Sequence, residues 1–237
     1  MSGQFARMYK PEATGDTYTQ CVNSWQIGGN DRSKCTHSAL SSKDLGCTNN
    51  GVIADASELS LGFAALFGGK EKLIKKLDEL FTAPSILHGE NTSADVTGLI
   101  GQYAHGNEPS HHIIYMYTAL GANEKAAKWL KVVTDSMYKT GPDGLVGNDD
   151  CGQMSACYVF SSLGFYPMNP ASGEYVFGYP LITNATIQLH NKKSLKIQVT
   201  KEKNTSNKGI ASVFLNGKKI PVNKITHQQI LQGGVLK

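Results

Sequence analysis

The sequence has no long apolar run and little excess charge, and these absences exclude several classes of protein. No segment reaches the ~18 apolar residues that a membrane-spanning helix requires, so no membrane span is predicted. Lysine and arginine exceed aspartate and glutamate by only 23 to 19, with the lysines clustered in the C-terminal third, so no nucleic-acid partner is expected. The N-terminus, MSGQFARMYKPE, lacks the apolar core of a signal peptide.

Cysteine motifs are also lacking. The five cysteines are odd in number and irregularly spaced, which argues against a disulfide framework. A zinc site would have to use His105, His111, His112, Cys151 and Cys157, and neither an H-E-x-x-H nor a C-x-x-C motif supports one. We therefore expect Cys151 and Cys157 to be buried free thiols.

The rest of the composition is that of a globular protein, with 40% hydrophobic and 18% charged residues among 237. Hydrophobic periodicity divides the chain into three segments. Residues 1–55 show no sustained period and are predicted to be an irregular segment. Residues 56–168 show a helical period, and residues 169–237 alternate apolar and polar residues as strands do. Helices followed by strands predict a mainly α plus β fold with segregated layers.

Local signals place the individual elements. The strands are expected to be antiparallel, and Asn216-Gly217 between two apolar runs is typical of a tight hairpin. One more strand is expected over residues 234–237. The predicted helices cover about residues 56–67, 72–81, 95–103, 109–120, 124–137 and 152–163.

One polar segment, YAHGNEPSHH, stands at the start of a predicted helix. Glu108 lies between Asn107 and a proline, so its carboxylate and the nearby carbonyl groups offer the hard oxygen ligands that calcium prefers. The three histidines of the segment, His105, His111 and His112, could hydrogen-bond sugar hydroxyls. The alternative for the adjacent pair His111-His112 is an ordinary hydrogen-bonded structural role.

A second polar segment, GNDDCGQMSA, precedes another predicted helix. Amide groups at a helix N-terminus favour anions, so Asp149 and Asp150 should stay ionised near neutral pH. An ionised carboxylate suits a general base or a cation ligand rather than a general acid. The alternative is that the two aspartates only cap the helix.

The two segments belong to longer runs, DVTGLIGQYAHGNEPSHHIIYMY and GPDGLVGNDDCGQMSACYVFSSLGFYPMNPASGEYVFG. These runs resemble the signature blocks of the calcium-dependent exo-α-mannosidases of glycoside hydrolase family 92. The resemblance extends over about Glu58 to Lys237. It implies part of an (α/α)6 helical barrel over 56–168, followed by antiparallel β-sandwich strands over 169–237.

The resemblance also implies an activity and a site. Family members remove terminal α-mannose from glycans with inversion and require Ca2+. By position, Asp150 corresponds to the general base, with Asp149 as its partner. The carbonyl of Asn107 and the side chain of Glu108 correspond to the calcium- and mannose-binding turn. His105 and His111 are the candidates for contacts with the sugar. A periplasmic or secreted location is the further expectation.

The chain departs from the family where the general acid is expected. That glutamate should fall near Leu45 to Ala54, and no glutamate occurs there. Cys157 also stands where the family usually has tryptophan. Three hypotheses follow: part of an exo-α-mannosidase, a catalytically inactive remnant that binds carbohydrate or calcium, and a helical interaction domain without sugar chemistry.

Overall fold

A computed structural model describes residues 62–86, 96–169, 172–200 and 209–237. The chain divides into two units, Met1–Ser110 and His111–Lys237. The predictions made for residues 1–55, including the missing general acid, lie outside the described residues. The predicted domain limits at 55 and 168 stay predictions.

The first unit contains two α-helical segments in its described part. Residues 62–66 are helical, and α1 (Lys70–Thr82) follows a turn at two glycines. Leu73, Leu77 and Phe81 recur every fourth residue along α1 and are its buried side chains. This helix confirms the apolar stripe that the sequence predicts.

The predicted helix over residues 95–103 is wrong. The described part of that stretch forms an antiparallel hairpin of β1 (Leu99–Ile100) and β2 (Tyr103–Ala104). Gly98 and Gly101 have φ of 62° and 60°, values that break a right-handed helix. A Cβ at Gly101 would overlap a carbonyl oxygen of α1, so the chain also needs glycine there for close approach.

Three helices follow a single 3₁₀ turn (Glu108–Ser110), and all three are predicted by the sequence. They are α2 (His112–Ala119), α3 (Asn123–Ser136) and α4 (Gln153–Leu163). Six consecutive residues of α2, from 113 to 118, are buried. A helix that is buried on every side must have neighbouring elements around it. Helix α2 packs against α3 and against strands of the same unit.

Two β-sheets follow the helices. The first, in the order β3-β4-β9, is antiparallel throughout. Its strands are β3 (Phe165–Asn169), β4 (Glu174–Phe177) and β9 (Lys224–Thr226). Strands β3 and β4 both contact α2.

The second sheet has five strands in the order β5-β6-β10-β7-β8. They are β5 (Asn184–Gln188), β6 (Ser194–Gln198), β7 (Val213–Leu215), β8 (Lys218–Ile220) and β10 (Gly234–Leu236). The expectation of purely antiparallel strands fails at one pairing, because β10 runs parallel to β6. The buried side chains of the two sheets form one core: Phe165, Phe177, Leu195, Ile197, Val213, Leu215, Ile225 and Leu236, joined by Ile230.

Ile230 belongs to a short helix, α5 (His227–Gln232), in a region where the sequence predicts strands alone. Thr226 and Gln229 form a capping box at its start, in which each side chain bonds the other's backbone N–H. A six-residue helix is too short for its apolar residues to show a helical period. The capping box is therefore the clearest feature of the sequence that indicates this helix.

The predicted Asn216-Gly217 hairpin is confirmed between β7 and β8. Asn216 has a left-handed φ of 51°. Its side-chain amide donates to the Gly233 carbonyl oxygen at 3.1 Å and accepts the Val235 N–H at 2.8 Å. The turn therefore also holds the start of β10.

The mixed helix and sheet architecture agrees with the predicted mainly α plus β class, and the (α/α)6 barrel stays a prediction. Within the described ranges, no helix combines the length and apolar character needed to cross a membrane.

Candidate active site

The loop before α4 has an unusual backbone. Asp150, Cys151 and Gly152 all have positive φ, at 42°, 58° and 88°. Non-glycine residues adopt this region at a cost of about 1 kcal/mol or more each, so the surrounding bonds must hold the loop in place. Two main-chain bonds close it, from Met154 N–H to the Asp149 carbonyl and from Gln153 N–H to the Asp150 carbonyl, both at 3.2 Å.

The two aspartates of this loop have different surroundings. The Asp149 carboxylate accepts the backbone N–H of Ser155 at 2.8 Å through Oδ1 and the Ser155 hydroxyl at 3.0 Å through Oδ2. Ser155 is the third residue of α4, so Asp149 caps the helix from outside it. Both aspartates are exposed, and Asp150 has a left-handed backbone with a φ of 42°. The capping alternative therefore describes Asp149.

The start of α4 is anchored on its inner side by tyrosines. Gln153 donates through Nε2 to the Tyr166 hydroxyl oxygen at 3.1 Å, and the Tyr138 hydroxyl donates to the Met154 carbonyl at 3.1 Å. Tyr166 stacks on the buried Tyr115 with ring centroids 4.7 Å apart. The start of α4, directly after the aspartate loop, is thus held by hydrogen bonds to Tyr138 and Tyr166, which suits a site that must hold a carboxylate in one place.

Tyr115 also bonds Ser161, with 2.7 Å between the two hydroxyl oxygens. Burial raises the pKa of the Tyr115, Tyr138 and Tyr166 hydroxyls above their usual values, so all three stay protonated near neutral pH. They serve as neutral hydrogen-bond groups and not as bases.

Cys157 is buried in the same layer, as the sequence predicts. The pKa of its thiol is raised to about 11. Burial raises this pKa more than the hydrogen bonds with Tyr138 and Ser161 lower it. A thiol with that pKa is protonated near neutral pH and is a poor nucleophile. Cys151 is a free thiol too, but it is exposed, so the expectation that it would be buried is wrong. It lies in the aspartate loop and not on the inner face of α4.

The other predicted site residues stand in and just after the first unit. His105 is 1% exposed, and its Nδ1 lies 2.9 Å from the Tyr103 hydroxyl. Its backbone N–H donates to the Gly98 carbonyl at 2.9 Å, which ties it to the hairpin. His111, the first residue of the second unit, is equally buried. Both histidines are thus core-like in burial, and their predicted contacts with sugar stay predictions.

The turn between them carries the predicted calcium ligands. The Asn107 carbonyl accepts the Ser110 N–H at 2.9 Å, and the Asn107 side-chain amide donates to the Ser110 hydroxyl oxygen at 3.2 Å. Glu108, half-buried, opens the 3₁₀ turn. A carbonyl oxygen keeps a second lone pair after one hydrogen bond. The turn therefore offers a carboxylate and a carbonyl, which are oxygen donors of the kind that fits calcium and does not favour zinc.

Within each unit, the structure brings some of the predicted site residues together. Asp149 and Asp150 share the loop of the second unit, whereas His105, Asn107 and Glu108 share the turn of the first. That both sets face one cleft stays a prediction. Sequence reasoning missed Ser155 and Gln153, which fix the loop. One feature of the sequence could have identified Gln153 and Ser155: both lie in the first turn of a predicted helix that follows two aspartates.

The sequence profile of the glycosyl hydrolase family 92 catalytic domain matches residues 51–237. The chain belongs to glycosyl hydrolase family 92. This agrees with the resemblance carried by the two polar segments, both of which lie inside the matched range.

Three known proteins with similar sequences or structures are described as glycosidases or mannosidases. A curated relative from Arthroderma benhamiae, described as an uncharacterized secreted glycosidase, is 29% identical over 174 residues, which are 73% of this chain and 20% of that protein. A family 92 α-mannosidase from Bacteroides thetaiotaomicron, solved with mannoimidazole, matches with a TM-score of 0.65 and 39% identity, over 75% of this chain and 23% of that one.

A family 92 inverting mannosidase from the same organism matches with a TM-score of 0.60 and 36% identity, over 75% of this chain and 25% of that one. The chain therefore spans about a fifth to a quarter of the length of these relatives.

Proposed function

We propose that the chain is the base-carrying and calcium-binding part of an inverting exo-α-mannosidase that removes terminal α-linked mannose from glycans. The observation that carries the proposal is the family match, which includes both polar segments. The mannosidase relatives, one of them described as inverting, support the substrate class and the stereochemistry.

We assign the general base to Asp150 and a positioning role to Asp149. Both oxygens of Asp149 already accept hydrogen bonds from Ser155, so deprotonating a water would require it to release a bond that caps α4. Asp150 is exposed beside that fixed residue. In an inverting glycosidase, the base carboxylate removes a proton from the water that attacks the anomeric carbon.

We assign the calcium to Glu108 and the Asn107 carbonyl. Calcium takes six to eight oxygen ligands, so water, sugar hydroxyls and other groups would complete its shell. When bound, the ion would supply Lewis-acid contact to the hydroxyls of the mannose ring. The protein's own part is to hold Glu108 on a short 3₁₀ turn. The Ser110 N–H fixes the Asn107 carbonyl, which directly precedes that turn.

The general acid limits the activity expected of this chain. An inverting enzyme needs two carboxyl groups about 6.5–9.5 Å apart, one to protonate the departing oxygen. No glutamate occurs between Leu45 and Ala54. Without an acid, hydrolysis of ordinary mannosides should fall by roughly 10²–10⁴.

A substrate with an activated leaving group tests this assignment, because its departure needs no proton. The purified chain should hydrolyse a dinitrophenyl α-mannoside slowly, with calcium dependence, and the activity should vanish in Asp150→Ala. Asp143→Ala, which removes an exposed aspartate from a nearby turn, is the matched control and should keep the activity.

Two other results would change the proposal. Robust cleavage of unactivated mannobiose would mean that another carboxyl group, such as Glu58 or Glu90, acts as the acid. Binding of calcium or mannose with no hydrolysis of the activated substrate would leave the inactive carbohydrate-binding remnant as the function.

We also propose a secreted or periplasmic location, with mannose-containing glycans as partners. The support for secretion is the Arthroderma relative, which is described as secreted. Fractionation of cells that make the whole protein, followed by immunodetection, tests the location. A signal confined to the cytoplasm would contradict it.

A further inference from the structure

The charge of the chain is segregated along the sequence. Residues 184–237 hold ten of the 23 basic residues, all lysines, and one of the 19 acidic residues, Glu202. This segment therefore has a formal charge of +9, and the rest of the chain has −5, which together give the net +4. All strands of the five-stranded sheet lie within this segment, so the small net charge of the chain hides a basic C-terminal region.

Three of these lysines project from the outer face of the sheet. Lys196 on β6 lies between the buried Leu195 and Ile197, so the strand period turns it outward. Lys219 on β8 is paired with Phe214, which lies between the buried Val213 and Leu215. Lys196, Lys219 and Lys237 are all exposed.

Lys237 lies opposite Phe214 on the other side. The Phe214 N–H donates to the Lys237 carbonyl at 2.7 Å, and the Lys237 N–H donates to the Phe214 carbonyl at 2.8 Å. Lys219, Phe214 and Lys237 therefore form one row across three neighbouring strands. With strands about 4.8 Å apart, the two lysine backbones are about 10 Å apart, with the aromatic ring between them.

No carboxylate side chain neutralises this row from within its own sheet, because residues 184–200 and 209–237 contain neither aspartate nor glutamate. In the neighbouring sheet, Glu174 is bonded to Lys224 at 2.7 Å. Phe214 is 37% exposed, a large fraction for an aromatic side chain, and Val235 of β10 lies next to it on the same face.

We propose that the outer face of the five-stranded sheet, along the row Lys219–Phe214–Lys237 with Lys196 beside it, binds an anionic polysaccharide. The choice of a polysaccharide rests on the proposed function, since a glycan is then the polymer that the enzyme meets. A pyranose ring would stack its C–H face on Phe214, while uronate, sulfate or phosphate groups would reach the flanking lysines. Such binding would keep the enzyme on a charged polymer and raise the local concentration of its mannose branches.

The form of the surface favours this partner over an anionic membrane. A membrane-binding face inserts a continuous apolar stripe, usually from an amphipathic helix. This face is a sheet with one exposed aromatic ring among charged and polar side chains, among them Thr186, Gln188 and Gln198.

Isothermal titration of the full chain with an oligogalacturonide at low salt tests the proposal. Wild type should bind, and high salt should weaken the binding because exposed charges are screened. K219Q/K237Q should bind about fivefold to tenfold more weakly, given the modest contribution of each exposed ion pair. F214S should weaken binding severalfold, whereas K139Q, which alters an exposed lysine outside the sheet, should change nothing. Circular dichroism would establish that each variant is folded.

Several outcomes would overturn the inference. One is the absence of oligogalacturonide binding, and another is equal binding by wild type and K219Q/K237Q. Tighter binding of oligothymidylate than of oligogalacturonide would assign the face to nucleic acid instead. A wild-type dimer that dissociates in F214S would assign it to a second copy of the chain.

Hydrolysis of α-mannosides is measured separately, so the two proposals fail independently. A chain that binds the oligogalacturonide but hydrolyses no mannoside keeps the binding face and loses the proposed activity. A chain that hydrolyses mannosides but does not bind the oligogalacturonide supports the proposed activity and overturns the proposed binding face.

Discussion

Ser155 holds Asp149 at both carboxylate oxygens, with its backbone nitrogen 2.8 Å from Oδ1 and its hydroxyl oxygen 3.0 Å from Oδ2. The bond spans six residues, across three consecutive residues of positive φ. Asp149 therefore holds the start of α4 although it lies outside the helix. Asp150 belongs to the strained loop between Asp149 and Ser155.

Removing the Ser155 hydroxyl should loosen this arrangement. We expect Ser155→Ala to lower the free energy of unfolding by about 1 kcal/mol, because one oxygen of Asp149 loses its partner while the backbone bond remains. Ser155→Thr keeps a hydroxyl and should retain most of the stability. Ser136→Ala is the control, since the exposed Ser136 hydroxyl only bonds a carbonyl of its own helix. Urea denaturation measures all three, and equal midpoints for Ser155→Ala and wild type would contradict the capping role.

Calcium binding should depend on Glu108. Glu108→Ala removes the only carboxylate of the proposed turn, so calcium affinity should fall about tenfold or more. Glu124→Ala, which changes an exposed residue in the first turn of α3, should bind calcium as wild type does. Isothermal titration measures both affinities. Unchanged binding in Glu108→Ala would rule this site out, and a preference for zinc would contradict the choice of metal.

Stability should fall at alkaline pH in a way that depends on Cys157. Its thiol has a pKa of about 11 in the folded chain, above the usual 9.0, so the folded state keeps the proton longer than the unfolded state. The stabilisation is present below pH 9 and is lost as the pH rises toward 11. Between pH 8 and pH 10 wild type should lose about 1 kcal/mol more than Cys157→Ala.

Denaturant titrations at several pH values measure this difference. The range stops at pH 10 because the buried tyrosines, whose pKa values are also raised, add their own losses above it. Parallel pH profiles for wild type and Cys157→Ala would show that the thiol does not titrate as described.

Gly178 should not tolerate a side chain. A Cβ there would lie 2.8 Å from both Leu130 Cδ1 and Tyr115 Cε1, so Gly178→Ala should destabilise the chain by about 1–3 kcal/mol. In a Leu130→Ala background the same change should cost less, because one of the two clashing atoms is gone. A double-mutant cycle measures the coupling, and fully additive effects would mean that the strain lies elsewhere.

The sequence predicts the fold well where a signal is local. The stripe of α3 and the Asn216-Gly217 turn are confirmed because period and turn chemistry act within a few residues. The stretch from 95 to 103 fails because its two glycines read as tolerable breaks in a helical pattern. Both glycines have positive φ, and Gly101 also packs against the backbone of α1, a contact that no local pattern encodes. The parallel pairing of β10 with β6 likewise joins segments some 40 residues apart.

The same limit applies to the candidate site. Residue chemistry is enough to identify Asp149 and Asp150 and to recognise that such a pair often caps a helix. It does not divide the roles between them. The division that we propose depends on the left-handed path from Asp150 to Gly152, across which Ser155 bonds the Asp149 carboxylate.

The position of β10 in the middle of its sheet has a consequence for how the protein is made. Until residues 234–236 leave the ribosome, β5–β6 and β7–β8 exist only as two separate hairpins, and a lone hairpin is marginally stable in water. Their apolar faces and unpaired edges stay open to other chains during that interval. A premature stop codon just before residue 234 would therefore do far more harm than the number of lost residues suggests, because it would split the sheet in two.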